Sequence, residues 1–150
     1  MRPPPKARLR DATACLNYIL RRTSRLVTQH YDRALKPAGI RAGQFNLMIP
    51  VALRGAYAIT ELADFLGMER SALARNLRPL RQRGWITVTA GRDRRTRIVR
   101  LTRAGERRLL KAYPLWKRAQ TALTGALRRA GLKDLVQGLR AASDAARSGD

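Results

Sequence analysis

Apolar and small residues recur every three to four positions early in the chain. Leu16, Ile19, Leu20, Thr23, Leu26, Val27, His30, Tyr31, Ala34 and Leu35 share one face of a helix predicted from about Asp11, and Arg21, Arg22, Arg25, Asp32 and Arg33 take the other. Lys36-Pro37-Ala38-Gly39 ends it, since proline cannot continue a helix and glycine suits the cap. A stripe on a helix of more than 20 residues exceeds what a small core needs and predicts packing against a second chain. A second helix, about Arg41 to Arg54, carries Ala42, Phe45, Leu47, Met48, Val51 and Ala52, with a kink expected at Pro50. Ala58-Ile59 reads as a very short strand. Thr60 is the expected N-cap of a short helix with Glu61 in its first turn and Leu62, Ala63 and Leu66 as its stripe.

Gly67 then supplies the positive φ that a helix-turn-helix requires. The next helix, about Arg70 to Arg83, aligns Leu73, Leu77 and Leu80 in a narrow arc. Ser71, Arg75, Arg78 and Gln82 lie opposite, with Ala72 and Asn76 on the flank. Pro79 removes the donor that would meet the Arg75 carbonyl, so a bend or early fraying is expected there. Trp85 to Ala90 is rich in β-branched residues and reads as a strand; Arg97 to Leu101 alternates as its return partner. Thr102 caps a helix bearing Leu109, Leu110, Tyr113, Trp116, Gln120, Leu123 and Leu127, with a kink expected at Pro114. After Gly131, a last stripe comprises Leu132, Leu135, Val136, Leu139 and Ala142. No internal repeat is found.

Charge changes the picture most. The net charge is +22, from 32 Lys and Arg against 10 Asp and Glu. So cationic a surface repels itself in the compact state unless a polyanion is near. Arginine suits phosphate because its planar fork donates two parallel hydrogen bonds. A general arginine bias of GC-rich coding DNA explains part of the excess but not its concentration. Gly91 to Arg103 holds six arginines (92, 94, 95, 97, 100, 103) and one acid, Asp93, on a hairpin tip. The exposed face of the 70–83 helix offers forks, an amide and a hydroxyl, the groups that read base edges and bind phosphates. Ser71, Arg75, Asn76, Arg78, Arg94, Arg95 and Arg97 are therefore the candidate duplex-DNA contacts, for a helix in the major groove and a hairpin in the minor groove. An anionic membrane is disfavoured because the charge is spread over several elements. Residues 1–10, with four positive charges and three consecutive prolines, read as a flexible basic arm.

Other chemistry is scarce. Cys15 and His30 are the sole cysteine and histidine, which leaves no disulfide within the chain, no Cys-based or His-pair metal site and no catalytic triad. No glycine-rich phosphate loop occurs, so neither an enzyme nor a cofactor is expected. No apolar run suits a bilayer and no secretory signal is expected, so the cytoplasm is the expected compartment. Cys15 reads as a small buried apolar residue. His30 reads as a core or interface residue, with a polar contact in a ligand pocket as the alternative.

Three pieces resemble the MarR family of winged-helix transcriptional regulators. They are Gln44-Phe45; Leu62-Ala63 through Leu66 with Leu73, Leu77, Leu80 and Gly84; and Asp93-Arg94-Arg95 with Val99, Leu101-Thr102 and Gly105. The resemblance covers roughly residues 12–145. It implies a mainly α fold with a small β-wing, in one domain over 11–150. The winged helix-turn-helix lobe would span about 41–102, and dimerisation helices about 11–36 and 102–146, the first, fifth and sixth helices. It further implies an obligate homodimer, a recognition helix in the major groove and Arg95 in the minor groove. Asp93 would orient the wing arginines by ion pairing. The expected function is a sequence-specific, ligand-responsive repressor on a pseudo-palindromic duplex site. An apolar or anionic effector would lie between the lobes near His30, Phe45 and Trp116. Pro50 and Pro79 are not part of the broad family pattern. Two rival readings remain: a non-specific, nucleoid-like nucleic-acid binder, and a thiol-based redox sensor using Cys15, which sits near where some such proteins sense peroxides.

Overall fold

The computed structural model describes residues 6, 9, 12–93 and 95–148, with the backbone alone for Arg129. Most of the 1–10 arm and Arg94 thus lie outside the described residues. After a 3-10 turn at Ala12–Ala14, α1 runs Leu16–Leu35 and a second 3-10 turn, Lys36–Ala38, leads to Gly39 at φ 63°. The order continues α2 (Ala42–Arg54), β1 (Tyr57–Ala58), α3 (Ile59–Leu66), α4 (Arg70–Gln82), β2 (Ile86–Ala90), β3 (Arg97–Leu101), α5 (Arg103–Leu127), a 3-10 turn at Arg128–Ala130 and α6 (Leu132–Ser148). The sheet has the order β1-β3-β2 and is antiparallel throughout, with Tyr57 opposite Val99 on one side and Val88 opposite Val99 on the other.

The core gathers where the helix-turn-helix meets the sheet. Leu35, Met48, Leu62, Leu73, Leu80 and Val99 are fully enclosed, and Phe45, Leu77 and Ile86 nearly so. The expected mainly α fold with a small β-wing is the observed one.

Several local expectations are corrected. The first α-helix begins at Leu16 rather than near Asp11, and Cys15 at its N-cap is exposed, not buried. Thr60 is no cap: β1 pairs with β3 up to Ala58, whose extended backbone leads straight into α3 at Ile59. Pro79 does not fray α4, which reaches Gln82 because Leu77 and Leu80 anchor it on both sides of the proline. Pro50 and Pro114, where kinks are expected, lie inside α2 and α5, which continue past them. The stripe of α5 is displaced: Gly105, Leu109, Ala112 and Ala119 face inward, whereas Leu110 is 74% exposed. Small residues, not the largest apolar ones, allow α5 to approach its neighbours.

Candidate nucleic-acid interface

Helix α4 is aimed by the turn before it. Gly67, at φ 62°, points its N–H to the carbonyls of Ala63 and Asp64, and Glu69 is extended before Arg70. Leu73, Leu77 and Leu80 seat the inner face, so Ser71, Arg75 and Arg78 form one outward line. Asn76 is also exposed but on the other flank. With Pro79 it borders a cleft shared with Thr28, Gln44, Leu47 and Met68, whereas Arg78 and Arg81 border a shallow groove beside Val88. The helix therefore does not bring Asn76 together with Arg78.

The wing is closed by its only acid. The Asp93 carboxylate accepts the Arg95 N–H at 3.0 Å, the Asp93 carbonyl accepts the Thr96 N–H at 2.9 Å, and the Thr96 carbonyl accepts the Gly91 N–H at 2.8 Å. Asp93 thus orients the tip through backbone amides. The expected ion pairing with arginine is absent among the described residues, whose ion pair is Arg54 with Glu61 at 3.2 Å. Arg95 and Arg97 are exposed, and neither they nor Arg75 and Arg78 pair with a described acid. Arg100 instead reaches across the hairpin, donating to the Thr89 hydroxyl at 3.4 Å.

The Thr102 cap expected from the pattern is present, but pattern reading missed the contacts that make it a wing root. The Thr102 hydroxyl donates to the Gly84 carbonyl at 2.6 Å and accepts the Gly105 N–H at 3.1 Å, and the Thr102 N–H reaches the Trp85 carbonyl at 3.0 Å. A Cβ on Gly105 would lie 2.1 Å from that Trp85 carbonyl oxygen, which explains the glycine. The Trp85 indole is 6% exposed, and the guanidiniums of Arg83 and Arg108 each lie 5.0 Å from its ring centre. Arg83 also donates to the Gly39 carbonyl at 3.3 Å and Arg108 to that of Ala38. The wing root, the end of α4, the start of α5 and the α1–α2 turn are thereby fastened together. An aromatic just after a glycine, flanked by arginines, was the available signal.

A cavity of about 320 Å³ lies between α1, α2 and α5. Phe45 and Trp116 line it, stacked at 5.9 Å, together with Thr28, Tyr31, Asn46 and Gln120. Tyr31 donates to the Gln120 amide oxygen, and burial pushes its phenol up from the ordinary tyrosine value, keeping it a neutral donor. His30 does not line this cavity. One residue before Tyr31, it turns to the Ala119 carbonyl, with Nε2 at 3.2 Å. Among the described residues no helix is long and apolar enough to cross a membrane.

No family model matches the chain. A curated relative, an uncharacterized HTH-type transcriptional regulator of Bacillus subtilis, YwoH, is 24% identical over 89 residues, 59% of this chain and 65% of that protein. The match thus spans just under two thirds of that relative. The M. tuberculosis transcriptional regulator MosR, solved in complex with DNA, is 36% identical, with 85% of this chain and 98% of that one covered and a TM-score of 0.73. A second MosR crystal structure gives 32%, 90% and 97% coverage, and 0.77. The transcriptional repressor CouR on a 23-mer DNA duplex is 27% identical, with 89% and 95% covered and a TM-score of 0.77. These proteins are regulators rather than enzymes, and with the helix-turn-helix, the Asp93 wing and the Thr102–Gly105 root in place, the chain belongs to the MarR family of winged-helix transcriptional regulators.

Proposed function

We propose that the protein is a sequence-specific, duplex-DNA-binding repressor that acts as a homodimer on a pseudo-palindromic site. The observation that carries the reading is the pairing of two arginine-bearing elements on one packed scaffold. The outward line of α4 and the closed wing tip both present guanidiniums without acidic partners among the described residues. Ser71, Arg75 and Arg78 would read the major groove, with Asn76 at its edge, and Arg95 and Arg97 the minor groove. Arg94 belongs to the same wing by sequence. The lobe over about 41–102 would read DNA, and the helices over about 11–36 and 102–146 would form the dimer. MosR and CouR, solved on DNA, support this reading.

Unpartnered apolar faces support the dimer. Leu16, Ile19 and Leu26 of α1 and Leu135, Val136 and Leu139 of α6 are 40–57% exposed, and no residue of α6 is buried. The cavity beside Phe45 and Trp116 supports ligand response. No charged side chain lines it, which favours a neutral aromatic effector over an anionic one. Such a ligand acts only by binding one spacing of the lobes better than another.

Competition gel shifts test the proposal. The protein should prefer its own upstream DNA by about a thousandfold over random duplex, with steep salt dependence. Equal affinity for all sequences would favour the nucleoid-like alternative instead. One observation favours a second reading: the Cys15 thiol is exposed, so an oxidant can reach it. Peroxide-driven release from DNA that vanishes in Cys15→Ser would establish it, and release unchanged by that substitution would remove it.

A further inference from the structure

A cleft of about 540 Å³ opens at the junction of α1, α2 and α4 and shares no lining residue with the outward line of α4 or the wing tip. Four cations line it: Arg33 from the last turn of α1, Lys36 from the turn that follows, Arg41 at the N-cap of α2, and Arg83 at the C-cap of α4. One acid, Asp32, also lines it; its Oδ1 accepts the Ala42 N–H at 2.7 Å and its charge offsets one of the four cations, so the lining keeps an excess of positive charge. None of the four cations forms an ion pair with a described residue. Gathering like charges in one concavity is unfavourable unless an anion occupies it.

The cleft is also organised. The Arg83 guanidinium lies 5.0 Å from the Trp85 ring centre and spends one N–H on the Gly39 carbonyl at 3.3 Å, two contacts that hold it at the cleft. Arg41 is extended, at φ −96° and ψ 155°, and its N–H is bonded to Gln44 Oε1 at 3.1 Å. The start of α2 is already capped, its Ala42 N–H by Asp32 and the Arg41 N–H by Gln44, so the side-chain cations supply the cleft's affinity for an anion.

We infer that Arg33, Lys36, Arg41 and Arg83 form a phosphate-binding subsite that joins the helical lobe to the helix-turn-helix. The inference deepens the proposed function and rests on it for one of two sources of phosphate. A DNA backbone phosphate would make the cleft a third anchor beside α4 and the wing. A free phosphorylated small molecule would make it a regulatory site, since its occupant bridges the elements whose spacing sets DNA affinity.

The test uses the full chain and the double variant Lys36→Gln with Arg41→Gln, both exposed positions; Arg83 is left intact because it also covers Trp85. Lys111→Ala, an exposed cation on α5, serves as control. Inorganic pyrophosphate is the probe, titrated calorimetrically at fixed ionic strength, and duplex affinity is followed against salt by fluorescence anisotropy. Loss of charge-assisted contacts should weaken pyrophosphate binding about tenfold or more in the double variant and leave the control unchanged. If DNA is the source, the salt slope should also fall by about one to two, since each phosphate contact contributes about 0.9. If the source is a free anion, pyrophosphate binding weakens and the slope stays. No change in either measurement, or an equal loss in the control, overturns the subsite. Failure of the intact protein to bind any duplex would defeat the proposed function alone, because the pyrophosphate titration still tests the cleft.

Discussion

The helix-turn-helix lobe and the outer helices follow the same apolar periodicity and end in opposite states. In α4 the leucines of the stripe, Leu73, Leu77 and Leu80, are at most 3% exposed. In α6 the equivalent stripe, Leu135, Val136 and Leu139, stays 40–45% exposed. The first stripe closes on α3, the sheet and α2 within one chain; among the described residues nothing covers the second closely enough to bury any of it. Covering the exposed half of six such side chains on α1 and α6 is worth on the order of 5 kcal/mol per protomer, twice that for a two-fold pair. That gain falls within the about 4–15 kcal/mol that association costs, so pairing through these faces should depend steeply on protein concentration.

The sharpest way to separate the two regions is to place a charge in each. Leu77→Asp puts an unpaired carboxylate into the closed core and should cost more than about 4 kcal/mol. Thermal melts followed by circular dichroism should lose their cooperative transition; a normal melt would mean that α4 is not seated as described. Leu135→Glu with Leu139→Glu should leave a folded chain but weaken self-association by about 4 kcal/mol. Sedimentation should find a monomer at micromolar strength, and an undiminished dimer would move the interface elsewhere.

Within the closed region the wing root has its own test. Gly105→Ala drives a Cβ against the Trp85 carbonyl oxygen, backbone that has little room to give. A loss of about 3 kcal/mol is expected in urea unfolding, the upper end of over-packing costs. An unshifted midpoint would show that α5 does not approach so closely. At the wing tip, Arg95→Ala should reduce duplex affinity by about 1–3 kcal/mol without altering the melting temperature. Unchanged affinity would take the wing out of the mechanism.

Much of this was legible in the order of residues. Leu73, Leu77 and Leu80 point inward because a helix puts positions three and four apart on one face. Gly67 and Gly131 break helices because they stand at positive φ, 62° and 79°. The Thr102 cap needed only a hydroxyl before an apolar-striped run. The α5 stripe holds in part: Leu109 is buried and Trp116 and Gln120 line the cavity, whereas Leu110 and Tyr113 are exposed. Ala112 and Ala119 are buried through close helix approach, which depends on the neighbouring helix rather than on hydropathy. Asp93 was recognised as the organiser of the wing but not how: whether a carboxylate meets a guanidinium or a backbone amide depends on the turn it stands in.

Sequence alone determined the elements, their order and the arginines available for a polyanion, because periodicity, caps and composition are local properties. Tertiary structure decided which apolar stripes are spent within the chain and which remain open. It also decided that Tyr31, not His30, lines the cavity among α1, α2 and α5, and that the Arg83 and Arg108 guanidiniums both lie 5.0 Å from the Trp85 ring centre. These outcomes depend on residues tens of positions apart meeting at fixed distances. No local rule sets such distances; they follow from how the helices pack.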